Sequence, residues 1–459
     1  MYKIFALLII IGFSAVKVSA QTSFSLNEAI DYGIKASNEV KKKNLAISDA
    51  SQQVKEIKST GLPKISASVN YNHFLAVPAQ PVEDFLGPTV YGILFAENVI
   101  PNRDLGPPQT FNFTLFQPNQ LSAGVEASTL LFDGSYFYGL RAAKFYRELV
   151  NQEKEVTIQK LKENITKAYL SVLFAEENLA VMQKNMTILD KSLKEAKAMY
   201  QNGFAESLDI DRLQLSYDNL FTEIENITQL VKISKNLLKF QMNYPVTEEI
   251  VLSEDLDQIT LAWDNTTELE NAAIDFSNRQ EYKLLQLSGQ LNDLDYKRTV
   301  AGYYPTLRGF INAQGNLYRK NLFDNDETGW IPQSAVGLAL QIPIYDGGEK
   351  SAKLQRIKLR NEDTEIEKQN LENAIRLQVT NAYLAYTNAS KTLTNRQKSL
   401  EVTNAIYNKT LIKFREGIGS SLEVTQAESD LFAAQAAFTD AGYSMLTALL
   451  DWKAALGKL

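Results

Sequence analysis

Two kinds of hydrophobic pattern run along this chain, and each occurs in both halves. The first is alternation residue by residue. In 64 to 72, Ile65, Ala67, Val69 and Tyr71 share one face, and Lys64, Ser66, Ser68, Asn70 and Asn72 share the other. In 121 to 132, Leu121, Ala123, Val125, Ala127, Thr129 and Leu131 stand opposite Ser122, Gly124, Glu126 and Ser128. Leu307, Gly309, Ile311 and Ala313 stand opposite Arg308, Phe310, Asn312 and Gln314. In 335 to 344, Val336, Leu338, Leu340, Ile342 and Ile344 stand opposite Ala335, Gly337, Ala339 and Gln341. A period of two over about ten residues predicts strands with one apolar and one polar face, at the length a tilted strand needs to cross an outer membrane. Periodicity alone also fits a half-buried sheet in a soluble α+β domain.

The second pattern is helical. From about Phe137 to Tyr200 there is no proline and one glycine, Gly139, and from about Lys350 to Phe414 there is neither. Both stretches are rich in Ala, Leu, Glu, Lys and Gln, which favour helix. Roughly 60 residues at ~1.5 Å each make a helix of about 90 Å, too long for one globular core, so it must lie against another long helix. Partners follow at 208 to 240 and 421 to 455, after turns at Gly203 and Gly417. Glycine there can take the left-handed conformation that closes a helix, and Ser207 and Ser421 are expected to cap the helices that follow. Shorter helices are expected over 25 to 59 and 267 to 300. Apolar stripes run through Ile375, Val379, Ala382 and Leu384 with Tyr383 and Tyr386, and through Leu431, Ala434 and Phe438. A soluble antiparallel coiled coil would share this periodicity.

The halves are copies. Asn38-Glu39-Val40-Lys41 and Leu62-Pro63 return as Gln280-Glu281-Tyr282-Lys283 and Tyr304-Pro305, and Leu131-Phe132-Asp133-Gly134 returns as Ile344-Tyr345-Asp346-Gly347. Ala168-Tyr169-Leu170 returns as Ala382-Tyr383-Leu384, and Gly203 with Ser207-Leu208-Asp209-Ile210 returns as Gly417 with Ser421-Leu422-Glu423-Val424. The first half carries an insertion of roughly 28 residues between its two strands, which reads as a loop over 73 to 120. The expected organisation is residues 1–20 as a signal peptide, 21–242 as the first repeat, 243–266 as a linker and 267–459 as the second repeat.

Composition narrows the function. Lys3, the apolar Ile4 to Ala15 stretch and Val18-Ser19-Ala20 resemble a secretory signal. Beyond it no apolar run reaches transmembrane length, so membrane insertion would have to use strands. Cysteine is absent, which removes disulfides, thiol catalysis and thiolate metal sites. The single histidine, His73, has no ligand partner nearby in sequence and reads as a surface or interface residue. With net charge -7 and basic residues dispersed among acidic ones, nucleic acid is not an expected partner. No motif for an enzyme, metal or cofactor stands out. Asp133-Gly134 and Asp346-Gly347-Gly348 sit at strand-to-helix junctions and read as turns or caps. Four strands are too few to close a membrane barrel, whose smallest members have about eight, so several chains would have to contribute to one barrel.

In the order and spacing of these elements the chain resembles the TolC family of outer-membrane efflux channels. The resemblance is carried by Leu62-Pro63 and Tyr304-Pro305, by Pro343-Ile344-Tyr345-Asp346-Gly347-Gly348, by the two glycine turns with their Ser-Leu-Asp/Glu-Ile/Val sequences, and by Ala454-Ala455-Leu456-Gly457. It implies an α+β outer-membrane protein of a Gram-negative bacterium: a homotrimer with a 12-stranded β-barrel continuous with a periplasmic α-helical barrel. The implied function is a passive exit duct for efflux or type I secretion, docked to a periplasmic adaptor (membrane fusion) protein and an inner-membrane transporter. Adaptor contact is implied at hairpin tips comprising Gly203, Phe204, Ser207, Leu208, Gly417, Ile418, Ser421 and Leu422. A constriction is implied at Asp209 and Glu423. One turn on, Arg212 and Gln426 depart from the acidic pattern, and Arg212 is expected to neutralise part of the ring. A trimeric coiled-coil structural or adhesin-like surface protein is the alternative.

Overall fold

The computed structural model describes residues 22–107, 109–114, 117–263, 269, 273–321, 323 and 329–459. The expected signal peptide lies outside them. In chain order the elements are β1 (Thr22–Phe24), α1 (Leu26–Ala36), α2 (Asn38–Ser59), β2 (Lys64–His73), β3 (Ala79–Glu83), α3 (Leu86–Ala96), β4 (Thr110–Thr114), β5 (Asn119–Phe132), α4 (Gly134–Gln201), α5 (Ser207–Met242), β6 (Ile250–Leu252), α6 (Leu256–Ala262), α7 (Gln280–Ala301), β7 (Thr306–Arg319), β8 (Ile331–Gln341), α8 (Glu349–Arg415) and α9 (Ser421–Ala455). A short 3-10 turn, Phe276–Asn278, precedes α7.

Several boundaries depart from the sequence expectation. The helix expected over 25 to 59 breaks at Ser37, whose ψ of 126 leaves the helical region and whose hydroxyl accepts from the Val40 amide. In the second repeat residues 273–279 are not α-helical and the α-helix Gln280–Ala301 follows them, while most of the expected start over 267 to 272 lies outside the described residues. The region read as a loop over 73 to 120 contains the β3–β4 hairpin and α3. Strand β8 stops at Gln341, short of the expected 344, where Pro343 has no amide hydrogen to offer a ladder. The linker contains β6, which pairs in parallel with β1, and α6.

The chain divides into two compact units, one of residues 1–50, 146–290 and 361–459 and the other of 51–145 and 291–360. The first unit is mainly helical and, among the described residues, has three apolar cores. One gathers Ala168, Tyr169 and Leu170 of α4 with Phe24, Leu26, Ala29, Leu238, Ile250 and Ile259. A second joins α4, α5, α8 and α9 near their turns, through Leu189, Leu193, Leu213, Leu220, Tyr407, Leu411, Val424 and Leu431. The third holds Ile375 and Val379 against Leu449 and Trp452, with Tyr386 stacked on the Trp452 ring at 5.4 Å. Leu384, expected in that stripe, is 59% exposed, because positions 375, 379, 382 and 386 define one helix face and 384 points away from it.

In the second unit β2, β5, β7 and β8 form one antiparallel sheet in that order. The β3–β4 hairpin follows on from β2 and β5, with the Phe74 amide donating to the Pro118 carbonyl at 2.8 Å. No described helix is long and apolar enough to cross a membrane.

Candidate functional site

Two surfaces could carry function, one in each unit. In the sheet, strand pairing aligns the alternating faces across all four strands. Ile65 pairs with Ala127, Ala127 with Ile311 and Ile311 with Val336. The neighbouring row on the opposite face is Ser66, Glu126, Asn312 and Ala335, and the next is Ser68, Gly124, Gln314 and Gln333. One face is therefore aliphatic and the other polar with few charges. The aliphatic face is uncovered: Ile65, Val69, Ile311, Val336, Leu338 and Leu340 are all 60% exposed or more. In water such a face would be costly, at roughly 25 cal/mol per Å² of apolar area. Among the described residues, strands β2 and β8 each leave one edge without a strand partner. Alternation in β5 ends in a bulge between Leu130 and Phe132, so Leu131 is skipped in the pairing and Phe132 meets Leu307.

His73 lies at the end of β2 with its Nδ1 2.8 Å from the Asn119 side-chain oxygen. At the strand exits, Asp133 Oδ1 accepts from the Ser135 amide at 2.7 Å and from the Tyr136 amide at 3.3 Å, holding Gly134 at the start of α4. Asp346 accepts from the Gly348 and Lys350 amides and from Lys350 Nζ, with Gly347 and Gly348 at φ 68 and 88. Both aspartates are helix-start brackets.

The second surface is the pair of interhelical turns. Gly203 and Gly417 both have φ 76. The Phe204 amide donates to the Met199 carbonyl and the Gly203 amide to Tyr200. Likewise Ile418 donates to Lys413 and Gly417 to Phe414. These paired bonds are Schellman closures, in which the residue after glycine ordinarily packs back on its own helix. Here Phe204 and Ile418 stay 77% and 78% exposed, and Leu208 and Leu422 are also exposed. The turns thus present unpartnered apolar side chains.

The expected serine caps are displaced by one residue. Glu206 and Ser420 are the N-caps, and Ser207 and Ser421 open the helices. Asp209 accepts from the Glu206 amide at 3.0 Å, whereas the Ser420 hydroxyl accepts from the Glu423 amide and leaves the Glu423 carboxylate exposed. The Arg212 guanidinium donates to the buried Ser421 hydroxyl at 3.3 Å, and among the described residues no ion pair joins it to Asp209. That bond links α5 to α9 and leaves the guanidinium charge in place.

Three residues, Asp430, Arg415 and Glu195, lie outside the sequence reading. Gln426 donates to Asp430 at 3.0 Å, and Asp430 lies two turns beyond Glu423 on the same helix face, a seven-residue spacing visible in the sequence. Arg415 of α8 donates to Glu195 of α4 at 2.7 Å, a pairing between segments that sequence alone does not connect. Among the described residues no group of His, Asp and Glu could hold a metal ion.

Comparison with known proteins places these features. The sequence profile of the family described as outer membrane efflux protein matches residues 295–458. The Vibrio cholerae outer membrane protein TolC is 24% identical over 358 residues, covering 74% of this chain and 77% of that protein. TolC of Escherichia coli K12 is 22% identical over 390 residues, covering 79% and 75%. Among solved structures, CusC superimposes with a TM-score of 0.69 at 13% identity, covering 95% of this chain and 92% of CusC. The Vibrio cholerae outer membrane protein VceC gives 0.65 at 13% identity, covering 94% and 96%. The structural matches establish a shared mixed helical and β fold. The profile over residues 295–458 and the TolC relatives show that this chain is an outer-membrane protein similar to the TolC outer membrane efflux proteins.

Proposed function

We propose that three copies of the chain assemble into one duct, in which four strands from each copy close a 12-stranded barrel and the long helices continue it through the periplasm. The observation that carries this reading is the four-stranded sheet, aliphatic on one face, polar on the other and, among the described residues, unpaired at both edges. In a bilayer an open edge has no water to satisfy its N–H and C=O groups, so an edge in lipid must be closed, and four strands cannot curl onto themselves. The aliphatic face then meets lipid and the polar face lines the lumen. Light scattering in mild detergent should return a trimer; a monomer with its strands intact would overturn the proposal.

The duct is passive. The turns at Gly203 and Gly417 dock a periplasmic adaptor through Phe204, Ile418 and Leu422, and an inner-membrane transporter supplies the energy. Valine at either glycine must take a left-handed conformation, which strains the turn by about 1–2 kcal/mol. Gly417→Val and Gly203→Val are therefore expected to weaken adaptor crosslinking and export while leaving barrel assembly intact. Unchanged crosslinking and export in both variants would remove the turns from the docking surface.

Asp209, Glu423 and Asp430 form the cation-favouring narrow end. Asp209 and Glu423 are each worth only ~0.3–1 kcal/mol as charges near a helix N-terminus, but threefold repetition concentrates carboxylates around one axis and attracts cations at low salt. Block of the purified channel by divalent or trivalent cations from the periplasmic side should weaken in Glu423→Ala and further in Glu423→Ala with Asp209→Ala. Identical block in all three proteins would reduce these residues to helix caps.

A further inference from the structure

One buried acid has no part in the scheme above. Glu428 lies on α9, 3% exposed, inside the core where α4, α5, α8 and α9 meet near the turns. Its α9 neighbours Val424, Ala427 and Leu431 are buried there with it. Its Oε2 has no hydrogen-bond partner. The Ser216 hydroxyl of α5 bonds to the carboxyl, and from α8 the buried Tyr407 lies close enough to interact with it electrostatically. Tyr407 in turn bonds to Ser192 of α4.

The nearby cations are committed elsewhere. Arg415 of α8 is paired with Glu195 of α4, and Arg212 of α5 is bonded to Ser421 of α9. Among the described residues no lysine or arginine forms an ion pair with Glu428. A carboxylate buried with an orphaned oxygen and no countercharge is costly, and binding a proton removes most of that cost. Burial in one chain is already nearly complete, so assembly with further copies cannot expose it.

We infer that Glu428 is a proton-binding site that couples the packing of the α4–α5 hairpin against the α8–α9 hairpin to pH. When the hairpins are packed, the carboxyl is neutral and satisfied by a single proton. When they separate, water reaches it, the carboxyl returns to its ordinary acidity and the proton is released. Burial, opposed by the Ser216 hydrogen bond, raises its packed-state pKa from 4.5 to about 7. The sign follows from linkage: the packed state binds more protons, so acidification favours packing and the preference is lost as pH rises through about 7. Between those two values each pH unit shifts the packed-to-separated ratio about tenfold per chain. Under the channel reading on which this consequence rests, acid closes the periplasmic end.

The absence of cysteine allows clean spin labelling at Phe204→Cys and Ile418→Cys in the full chain. Distances between labels in detergent-purified protein should shift from a narrow, short distribution at about pH 5 to a longer one at about pH 8, following the linkage slope. Glu428→Gln, neutral at every pH, should hold the short distribution throughout. Ser216→Ala removes the hydroxyl that stabilises the ionised form and should move the midpoint upward. Distances that do not respond to pH, or that respond identically with and without Glu428→Gln, would overturn the inference. Conductance separates this from the channel reading: a protein whose distances follow pH as stated but which conducts at no pH keeps the proton site and loses the duct.

Discussion

Val336→Arg is expected to abolish the assembled, membrane-inserted form of the protein, whereas Ala335→Arg, one residue earlier on the same strand, should leave it assembled. Val336 is 79% exposed on the aliphatic face, in the row Ile65, Ala127, Ile311. Arginine at the midplane of a lipid-facing strand costs roughly 2–4 kcal/mol, and a closed trimer meets that cost three times. Ala335 lies in the polar row with Ser66, Glu126 and Asn312, so in the proposed duct an arginine there would face the lumen and add a cation to a row that carries Glu126. The trimer fraction in detergent extracts of outer membranes, by native mass spectrometry, checks the first half. Ion selectivity of the purified protein checks the second, with a shift away from cations expected for Ala335→Arg. Equal assembly of both variants would mean that the two faces are not divided between lipid and lumen.

Tyr169→Ala should cost about 3–5 kcal/mol, the range for emptying a large aromatic site, and release the N-terminal segment. Tyr169 is fully buried, and its hydroxyl donates to the Phe24 carbonyl at 2.9 Å. Phe24 belongs to β1, which among the described residues pairs only with β6, so Tyr169 ties β1 to α4. Burial, reinforced by the nearby Glu254 carboxylate, holds the phenol well above its usual pKa, so it remains a donor throughout the physiological range. Tyr169→Phe keeps the ring and loses the bond, leaving the Phe24 carbonyl unsatisfied at a cost of about 1–3 kcal/mol. Hydrogen exchange of α1 and β1 amides should accelerate strongly in Tyr169→Ala and mildly in Tyr169→Phe. Equal acceleration in the two would assign the whole effect to the hydrogen bond.

The four sheet strands and four of the longest helices were legible in the sequence because their signals are local. Alternation at Ile65, Ala67 and Val69 follows from the pleat, and the proline-free stretches could hardly be anything but helix. The glycine turns were legible for the same reason, since only a left-handed closure explains Gly203 and Gly417 between two long helices. The cap positions failed by one residue because Glu206 and Ser420 compete with Ser207 and Ser421, and backbone geometry chooses between them.

What the sequence could not supply is the identity of partners across long separations. Glu195 and Arg415 lie 220 positions apart, and each alone reads as a solvated helix charge. Glu428 looks like one more acid on an amphipathic helix until four helices enclose it. The duplicated Ala-Tyr-Leu makes the same point within a single motif. Ala168, Tyr169 and Leu170 are buried, whereas the second copy leaves Tyr383 38% and Leu384 59% exposed. The sequence by itself determined which residues lie on one face of each strand or helix, because that depends only on backbone period. Tertiary structure alone decided which faces are covered: β1, β6 and α1 pack over the first copy within the chain, and burial depends on neighbours that no local pattern encodes.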